Sequence, residues 1–350
     1  MKKQVVTILV RLALSVILLG LLFFLIDREA LIKAFSSVDP LYYVLGLAAY
    51  GATAMFWALR WYLFIRASGE KVSYLRALRT LLIGLFYAMF LPTIVGTDVG
   101  RMYELGRDAN NNKSNVVSTV LLDRLMGMIT LTLMAVTALL LGSQYAADRS
   151  VVWTVIGALA VLVAGWIVFF NRRVMEVIFR LVFALPGANR LEAMIREIYE
   201  ALYLLHNQPR LLLVTGLASL LNSISETLAA LLAARALGID VAPVYFFIFM
   251  PLIWLIMIIP ISISGLGLRE GAFAFFFTQV GVSAADAVAV SLVFYSLNVI
   301  VATLGGIVLF QSSFIQTWRK LRSSRSVSTN HHQTTPTVPT LETQDESSGG

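Results

Sequence analysis

Two short stretches of this sequence combine a proline, two glycines and an arginine within largely apolar surroundings. One begins with Pro92 and ends with Arg101, the other begins with Pro260 and ends with Arg269, and in both the arginine follows the proline by nine positions. A helix that starts just after such a break directs free backbone N–H groups and a partial positive charge outward. Because an arginine beside those groups can hold a phosphate with two bonds, the pattern predicts a phosphate-binding site.

The other residues of the two stretches complete the predicted site. The predicted substrate-binding residues are Gly96, Asp98, Arg101, Gly265, Gly267, Arg269 and Glu270. The alternative is structural: Arg101 would pair with Asp98 or Glu104, and Arg269 with Glu270, as salt bridges inside the protein. Charges within a membrane are costly, so they favour a functional interpretation without excluding the structural one.

Further ionisable residues lie inside apolar runs. Asp123 and Arg124 are adjacent, so on a helix they point about 100° apart and each is expected to contact a different neighbour. Glu226 lies near the middle of another run, and Glu226 and Asp123 are the candidate acids for coupling transport to protons. The alternative for Glu226 is a packing seam of small and polar residues, formed by Ser219, Asn222, Ser223, Ala230 and Ala233. Arg60, near the end of its run, is predicted to extend to the membrane surface.

The composition places these charges in a membrane protein. Apolar residues make up 58% of the chain and charged residues 13%, and the mean hydropathy is +0.81. Soluble domains are nearer 45–50% apolar and roughly 25% charged. The net charge of +7 arises from Lys and Arg between apolar runs, which indicates cytoplasmic loops rather than nucleic-acid binding. There is no Cys, and all three His lie outside the runs, so neither a metal site nor a cofactor is expected in the membrane.

The apolar runs predict an all-α polytopic bundle. Six runs are long enough to cross the membrane: Ile8–Ile26, Leu41–Ile65, Val116–Leu141, Val151–Phe170, Leu211–Ala236 and Ala284–Phe310. A cleavable signal peptide is the alternative for the first. Two further segments, Leu78–Gly96 and Pro243–Val280, are interrupted by Pro and Gly. A full crossing by either segment would place positively charged loops on opposite sides of the membrane. All of these loops are cytoplasmic only if each segment enters and leaves the membrane on the same side. The prediction is six crossings and two re-entrant segments arranged as an inverted repeat, with both termini cytoplasmic in the cell membrane.

The apolar runs and the change in composition after them divide the chain into a membrane domain and a tail. Residues 1–318 form the membrane domain, and within it an amphipathic segment at about 174–206 is expected on the cytoplasmic surface. Residues 319–350 become rich in Ser, Thr, Gln and Gly, a composition that cannot bury a core. They are predicted to form a disordered cytoplasmic tail.

Several motifs in order along the chain resemble one family. They are Phe90-Leu91-Pro92, Gly96-Thr97-Asp98, Leu121-Leu122-Asp123-Arg124 and Gly265-Leu266-Gly267-Leu268-Arg269-Glu270-Gly271. They are similar to motifs of the lysylphosphatidylglycerol synthase transmembrane-region family, also called flippase-like membrane proteins, over roughly residues 8–310. The resemblance implies a lipid flippase or a partner of a lipid-modifying enzyme. Founding members carry a soluble aminoacyl-transfer domain, which this sequence lacks after its membrane region, so lysyl transfer is not expected.

Three functions remain open from the sequence. The leading one moves a phosphate-bearing lipid, such as a phospholipid or a polyprenyl phosphate, between leaflets, and it makes the chain a transporter rather than an enzyme. No Gly-x-x-x-x-Gly-Lys-Ser/Thr loop occurs, so pumping driven by ATP is not expected of this chain alone. The alternatives are a membrane-embedded transferase acting on lipid head groups and a non-catalytic subunit of an envelope glycosyltransferase. The expected partners are membrane lipids and a lipid- or glycan-modifying enzyme, with no nucleic acid.

Overall fold

The computed structural model describes residues 38–90, 96–106, 113–142, 208–257 and 265–330, residues 173–177, and isolated positions between 157 and 199. The predicted runs at residues 8–26 and nearly all of 151–170 lie outside these ranges. So do Pro92, Pro260 and most of the predicted amphipathic segment.

The regular elements of the described ranges are α-helices. In chain order they are α1 (Pro40–Ala67), α2 (Tyr74–Phe90), α3 (Gly96–Gly106), α4 (Lys113–Gly142), α5 (Pro209–Ala236), α6 (Pro243–Met257), α7 (Leu268–Thr278) and α8 (Ala284–Asn330). The all-α prediction is confirmed for this part of the chain.

Four of these helices are long and apolar enough to cross a membrane. The spans are Pro40–Ala67, Ser114–Thr137, Pro209–Ala236 and Ala284–Gln311. Each coincides with one of the runs predicted from the sequence. A helix of 28 residues is about 42 Å long, which exceeds the roughly 30 Å thickness of the hydrocarbon core. The chain is therefore a multi-pass helical membrane protein.

Helices α1 and α5 lie antiparallel along their length. Asp39 caps α1 by accepting a hydrogen bond from the Leu41 backbone N–H at 2.8 Å, and its own N–H donates to the Ala236 carbonyl at 2.7 Å. Farther along, Gly46 lies close to Leu232, and near the other end Arg60 contacts Ser219. This close approach is possible because the facing side of α5 carries small residues.

Small residues of the predicted seam on α5 pack inside the protein, while Asn222 and Ser223 of the same set line a cavity. Ser219, Ala230 and Ala233 are buried, whereas Leu220 and Leu228 on the same helix are exposed. In a bilayer the exposed leucines match the lipid tails, so close packing of small residues is what holds two helices together.

Each interrupted segment of the sequence lies across two helices. The second contains α6 and α7, whereas the first ends at Gly96, where α3 begins after α2, and in both cases the helix after the break has 11 residues. At 15 residues α6 is about 22 Å long, less than the membrane core, and it contains Pro251. The helix pairs agree with the predicted breaks, while re-entry from one side, the count of six crossings and the inverted repeat stay predictions.

Glycines allow α2 to contact two other helices at backbone distance. A Cβ atom at Gly100 of α3 would lie 2.8 Å from the Gly84 Cα of α2. A Cβ atom at Gly305 of α8 would lie only 1.9 Å from the Leu82 carbonyl oxygen of α2. No side chain fits at these positions, so glycine is what permits both contacts.

The chain divides into two compact units, Met1–Gly306 and Ile307–Gly350. The described part of the second unit is the end of α8, which continues to Asn330. The helix therefore extends past residue 319, where the sequence analysis places the start of the tail. The division at 318 and the disorder and location of residues 319–350 stay predictions.

Because the chain contains no Cys, single introduced cysteines can report the orientation of the spans. The side chains of Ser73 and Asp240 are exposed, at the loop before α2 and the loop between α5 and α6. We expect a membrane-impermeant maleimide to label Ser73→Cys only from the cytoplasmic side and Asp240→Cys only from outside. The unmodified chain is the control. External labelling of Asn112→Cys would contradict the predicted re-entry of residues 78–96.

Candidate functional site

Asp123 of α4 is the centre of a buried charge network. Its Oδ1 accepts a hydrogen bond from the Arg60 Nε of α1 at 2.6 Å, and its Oδ2 accepts from the Arg101 Nη1 of α3 at 2.7 Å. Trp57 Nε1 of α1 donates to the same Oδ2 at 2.8 Å. Asp123 and Arg101 have no exposed surface. One carboxylate thus connects three helices within the first unit.

Asp98 of α3 extends this network to a third arginine. Its Oδ1 accepts from Arg101 Nη2 at 2.5 Å, and its Oδ2 accepts from Arg124 Nε at 2.6 Å. Arg124 is the most accessible of the three arginines, with 32% of its side chain exposed. Asp123 and Arg124 contact different partners, as their positions on a helix predict. The network thus joins three guanidinium groups through the carboxylates of Asp98 and Asp123.

Aromatic rings and a glycine shape the surroundings of the arginines. The Arg101 guanidinium lies 4.8 Å from the Trp61 ring centre and 5.3 Å from that of Trp57, a geometry in which the ring face attracts the cation. A Cβ atom at Gly127 would lie 3.3 Å from the nearer terminal nitrogen of Arg60. Gly127 therefore leaves the space that the Arg60 side chain occupies.

Arg269 and Glu270 of α7 form a second buried group. Arg269 Nη2 donates to Glu270 Oε1, and Arg269 Nε donates to the Ser291 Oγ of α8 at 3.0 Å. The guanidinium also lies 4.1 Å from the ring centre of Tyr295. The two charges of this pair neutralise each other.

The glycines of the second stretch form the turn that begins α7. Gly265 and Gly267 have φ angles of +75° and +82°, which residues with a side chain rarely adopt. The Gly267 N–H donates to Glu270 Oε2 at 2.6 Å, so Glu270 caps the helix as well as pairing with Arg269. The two glycines form the turn before Arg269, and Glu270 bonds both that turn and the Arg269 guanidinium.

A single cavity of about 270 Å³ connects the two groups. Asp98, Arg101, Asp123, Glu226 and Arg269, all predicted site or coupling residues, line it. Gly96, Gly265, Gly267 and Glu270 are not among the lining residues. The polar and aromatic residues among the remaining lining are Tyr50, Thr53, Trp57, Arg60, Thr97, Arg124, Asn222, Ser223, Trp254, Tyr295 and Asn298, and the rest of the wall is apolar, with Leu, Met and Ala side chains. The structure thus brings together predicted acids and arginines that lie up to 171 positions apart in sequence.

The two predicted coupling acids have different surroundings. Asp123 is held by two arginines and a tryptophan, as described above. Glu226 of α5 lines the cavity, and within the described residues it has neither a hydrogen-bond nor an ion-pair partner. The roles assigned from sequence to Arg101, Arg269 and these acids stay predictions, although the salt bridges of Arg101 with Asp98 and of Arg269 with Glu270 are both present.

The sequence analysis misjudged Arg60. It predicted a side chain extending to the membrane surface, but Arg60 is 5% exposed and bonds Asp123 and Ser219. The acid that holds Arg60 lies 63 positions away on another helix. The adjacent tryptophans explain the error, because Trp beside Arg is also typical of a membrane interface.

Comparisons with known proteins cover this site. The family model described as "Lysylphosphatidylglycerol synthase TM region" matches residues 8–306, which include both charged groups. A UPF0104 membrane protein of Pyrococcus horikoshii is 25% identical over 114 residues, 32% of this chain. The match spans about a third of that relative's length. No solved structure matches the chain.

Proposed function

This chain belongs to the lysylphosphatidylglycerol synthase transmembrane-region family, and from that membership and the cavity we propose that it moves a phosphate-bearing lipid between leaflets. The observation that carries the proposal is the cavity lined by Arg60, Arg101, Arg124 and Arg269. Arginine suits phosphate because its planar donors can form two parallel bonds to phosphate oxygens.

The arginines of the cavity support an anionic ligand. Four arginines line the cavity, and a phosphate placed among them would supply negative charge to their guanidinium groups. Arg124 has the most accessible side chain of the four, so it would make the first contact. A buried charge is costly in a membrane, which favours a counter-ion supplied by the ligand.

The surroundings of the cavity suit a lipid better than a free anion. The helices α4 and α5 present polar residues to the cavity, while their other residues line an apolar groove of about 750 Å³ together with α6. The only polar side chains of that groove are Thr130 and Thr137, whose hydroxyls donate to carbonyls of their own helix. A lipid would place its phosphate in the cavity and its acyl chains against apolar surface such as this.

The membrane arrangement that completes the proposal has six crossings, two re-entrant segments related as an inverted repeat, and cytoplasmic termini in the cell membrane. In transporters built from inverted repeats, the binding site lies between the repeats and opens alternately to each side. Arg101 on α3 and Arg269 on α7 would then hold one lipid from opposite halves.

Glu226 is the better of the two coupling acids. An ionised Glu226 would offset positive charge of the arginines, whereas a protonated one would leave that charge available to a phosphate. Asp123 cannot take up a proton without weakening its bonds to two arginines. A proton gradient, if it drives transport, would therefore act through Glu226.

A head-group transferase and a non-catalytic subunit of an envelope glycosyltransferase are the alternatives. A transferase needs groups that exchange protons with its substrate. Of the candidate acids Asp98, Asp123, Glu226 and Glu270, all but Glu226 are bonded to arginine, so Glu226 is the acid that a transferase would use.

Arg124→Gln should slow lipid movement with little loss of stability. Losing a hydrogen bond to a charged group costs about 1.5–3 kcal/mol, or roughly ten- to hundredfold in affinity. Arg124→Lys should recover part of the activity because it keeps the charge without the bidentate fork. The measurement is the rate at which acyl-labelled fluorescent phosphatidylglycerol moves between leaflets of proteoliposomes, followed by dithionite reduction.

Arg235→Gln is the matched control for this measurement. The Arg235 side chain is 35% exposed and forms an ion pair with Asp240, and it is not among the residues that line the cavity. It should move lipid at the unmodified rate. Full activity of Arg124→Gln, or no movement above that of protein-free vesicles for the unmodified chain, would contradict the proposal.

A further inference from the structure

We propose that the last part of α8 is a docking helix for a partner protein, and that the partner contributes a helix with acidic residues beside an apolar stripe. The docking face consists of Ile307, Phe314, Trp318 and Leu321. These residues belong to the second unit, and none of them lines the cavity. The docking face therefore does not depend on the proposed movement of lipid.

Helix α8 is much longer than a membrane crossing requires. It has 47 residues and ends at Asn330, about 70 Å from its start, whereas its apolar span ends at Gln311. That span of 28 residues is already about 42 Å long, enough for the hydrocarbon core together with both head-group regions. Residues 307–330 include neither Pro nor Gly, at which helices usually kink. Residues 312–330 therefore continue the helix beyond the lipid.

Apolar residues of α8 keep a heptad spacing past the end of the span. Leu304 and Ile307 are exposed and three positions apart. The same repeat places Phe314, Trp318 and Leu321 on the continuation of that face. Lipid tails can cover the exposed residues inside the membrane but not the three that follow outside it. A second helix packed along α8 would cover those three.

The charges beside the docking face determine which helix fits. Four basic residues follow Trp318, and they are Arg319, Lys320, Arg322 and Arg325. No acidic residue occurs from 287 to 341 to balance them. In the heptad, Trp318, Leu321 and Arg325 take core positions and Arg322 a flanking one. Two parallel copies of α8 would set Arg325 against Arg325, so a partner helix with Glu or Asp at the facing positions is the better match.

A membrane surface fits these charges less well than an acidic helix. Anionic lipid attracts basic residues within about one Debye length, roughly 8 Å at physiological salt. Along the helix, Arg322 lies about 16 Å beyond Gln311. A helix bound to the surface also has to lie flat, and residues 307–330 contain no Pro or Gly at which α8 could turn.

Photo-cross-linking in the cells that naturally contain the full-length protein tests the proposal. The photoreactive residue p-benzoylphenylalanine replaces Phe314, Trp318 or Leu321 on the docking face, and Gln316 or Ser323 on the opposite face as the matched controls. We expect the three docking positions to cross-link one and the same protein, and the controls to give little product. Mass spectrometry of the peptide linked at position 318 should find Asp or Glu beside apolar residues at heptad spacing.

Charge reversal provides a second readout. The double variant Arg322→Glu/Arg325→Glu should lower the yield at position 318 about tenfold, because two attractive pairs become repulsive. Lys71→Glu reverses an exposed charge in the loop before α2 and should leave the yield unchanged. Equal yields from both faces, or a linked peptide without acidic residues, would overturn the proposal. Cross-links to a second copy of the chain would overturn it in favour of self-association, and products with lipid alone in favour of the membrane surface.

Discussion

Asp123→Asn should lower the free energy of unfolding by about 3–5 kcal/mol, the cost of leaving a buried charge without its partner. Asp123 is the carboxylate that joins Arg60 on α1 to Arg101 on α3, and both arginines are buried. The asparagine keeps the shape but removes the charge, and its amide nitrogen would face a donor. Arg60 would then lose its ion pair, and Arg101 and Arg124 would share the carboxylate of Asp98.

The measurement is the amount and thermal stability of monodisperse protein in detergent. Asp240→Asn is the matched control, because Asp240 forms an ion pair with Arg235 while 81% of its side chain is exposed. Exposed pairs contribute about 1 kcal/mol or less, so this variant should behave like the unmodified chain. Unchanged stability of Asp123→Asn would mean that the network does not hold the three helices together.

Gly305→Ala should be the most damaging of the small substitutions. The added methyl group would lie 1.9 Å from the Leu82 carbonyl oxygen and 2.3 Å from its carbon, both backbone atoms that cannot rotate away. Overpacking typically costs about 1–3 kcal/mol, and a clash with backbone belongs at the upper end of that range. The helices α2 and α8 would have to separate, and α2 carries the residues that contact α3.

Thermal unfolding in detergent again provides the measurement. Gly51→Ala in α1 is the control, since a Cβ atom there meets nothing within 4 Å. Alanine in place of a helical glycine stabilises by roughly 0.5–1 kcal/mol where there is room, so Gly51→Ala should be neutral or more stable. Equal melting of the Gly305→Ala variant and the unmodified protein would show that α2 and α8 adjust without cost.

Sequence reasoning succeeded where the signal is local. A run of about 20 apolar residues predicts a spanning helix because the membrane thickness fixes its length, and α1, α4, α5 and α8 follow that rule. The bond between Asp98 and Arg101 was among the alternatives because residues three apart meet on one helix face. The seam of small residues on α5 was predicted for the same reason.

The contacts of the site that were not predicted join residues on different helices, so they depend on which helices are neighbours. Arg60 bonds Asp123 only because α1 and α4 lie side by side, and nothing in the sequence around either residue indicates this pairing. The Arg269 contact with Ser291 has the same character, since serine is common on membrane helices. Trp254 and Asn222 are recognisable as cavity residues only once a cavity lies between them.

On the predicted re-entrant arrangement, the short helix α3 depends on a segment that is synthesised after it. It has 11 residues and carries Asp98, Arg101 and Glu104, so it is too short and too charged to enter a bilayer from the translocon alone. Its partners Asp123 and Arg124 are translated about 25 residues later, in the helix that follows. On that arrangement we expect α3 to leave the aqueous phase only after much of α4 has been made, so that the two helices insert together.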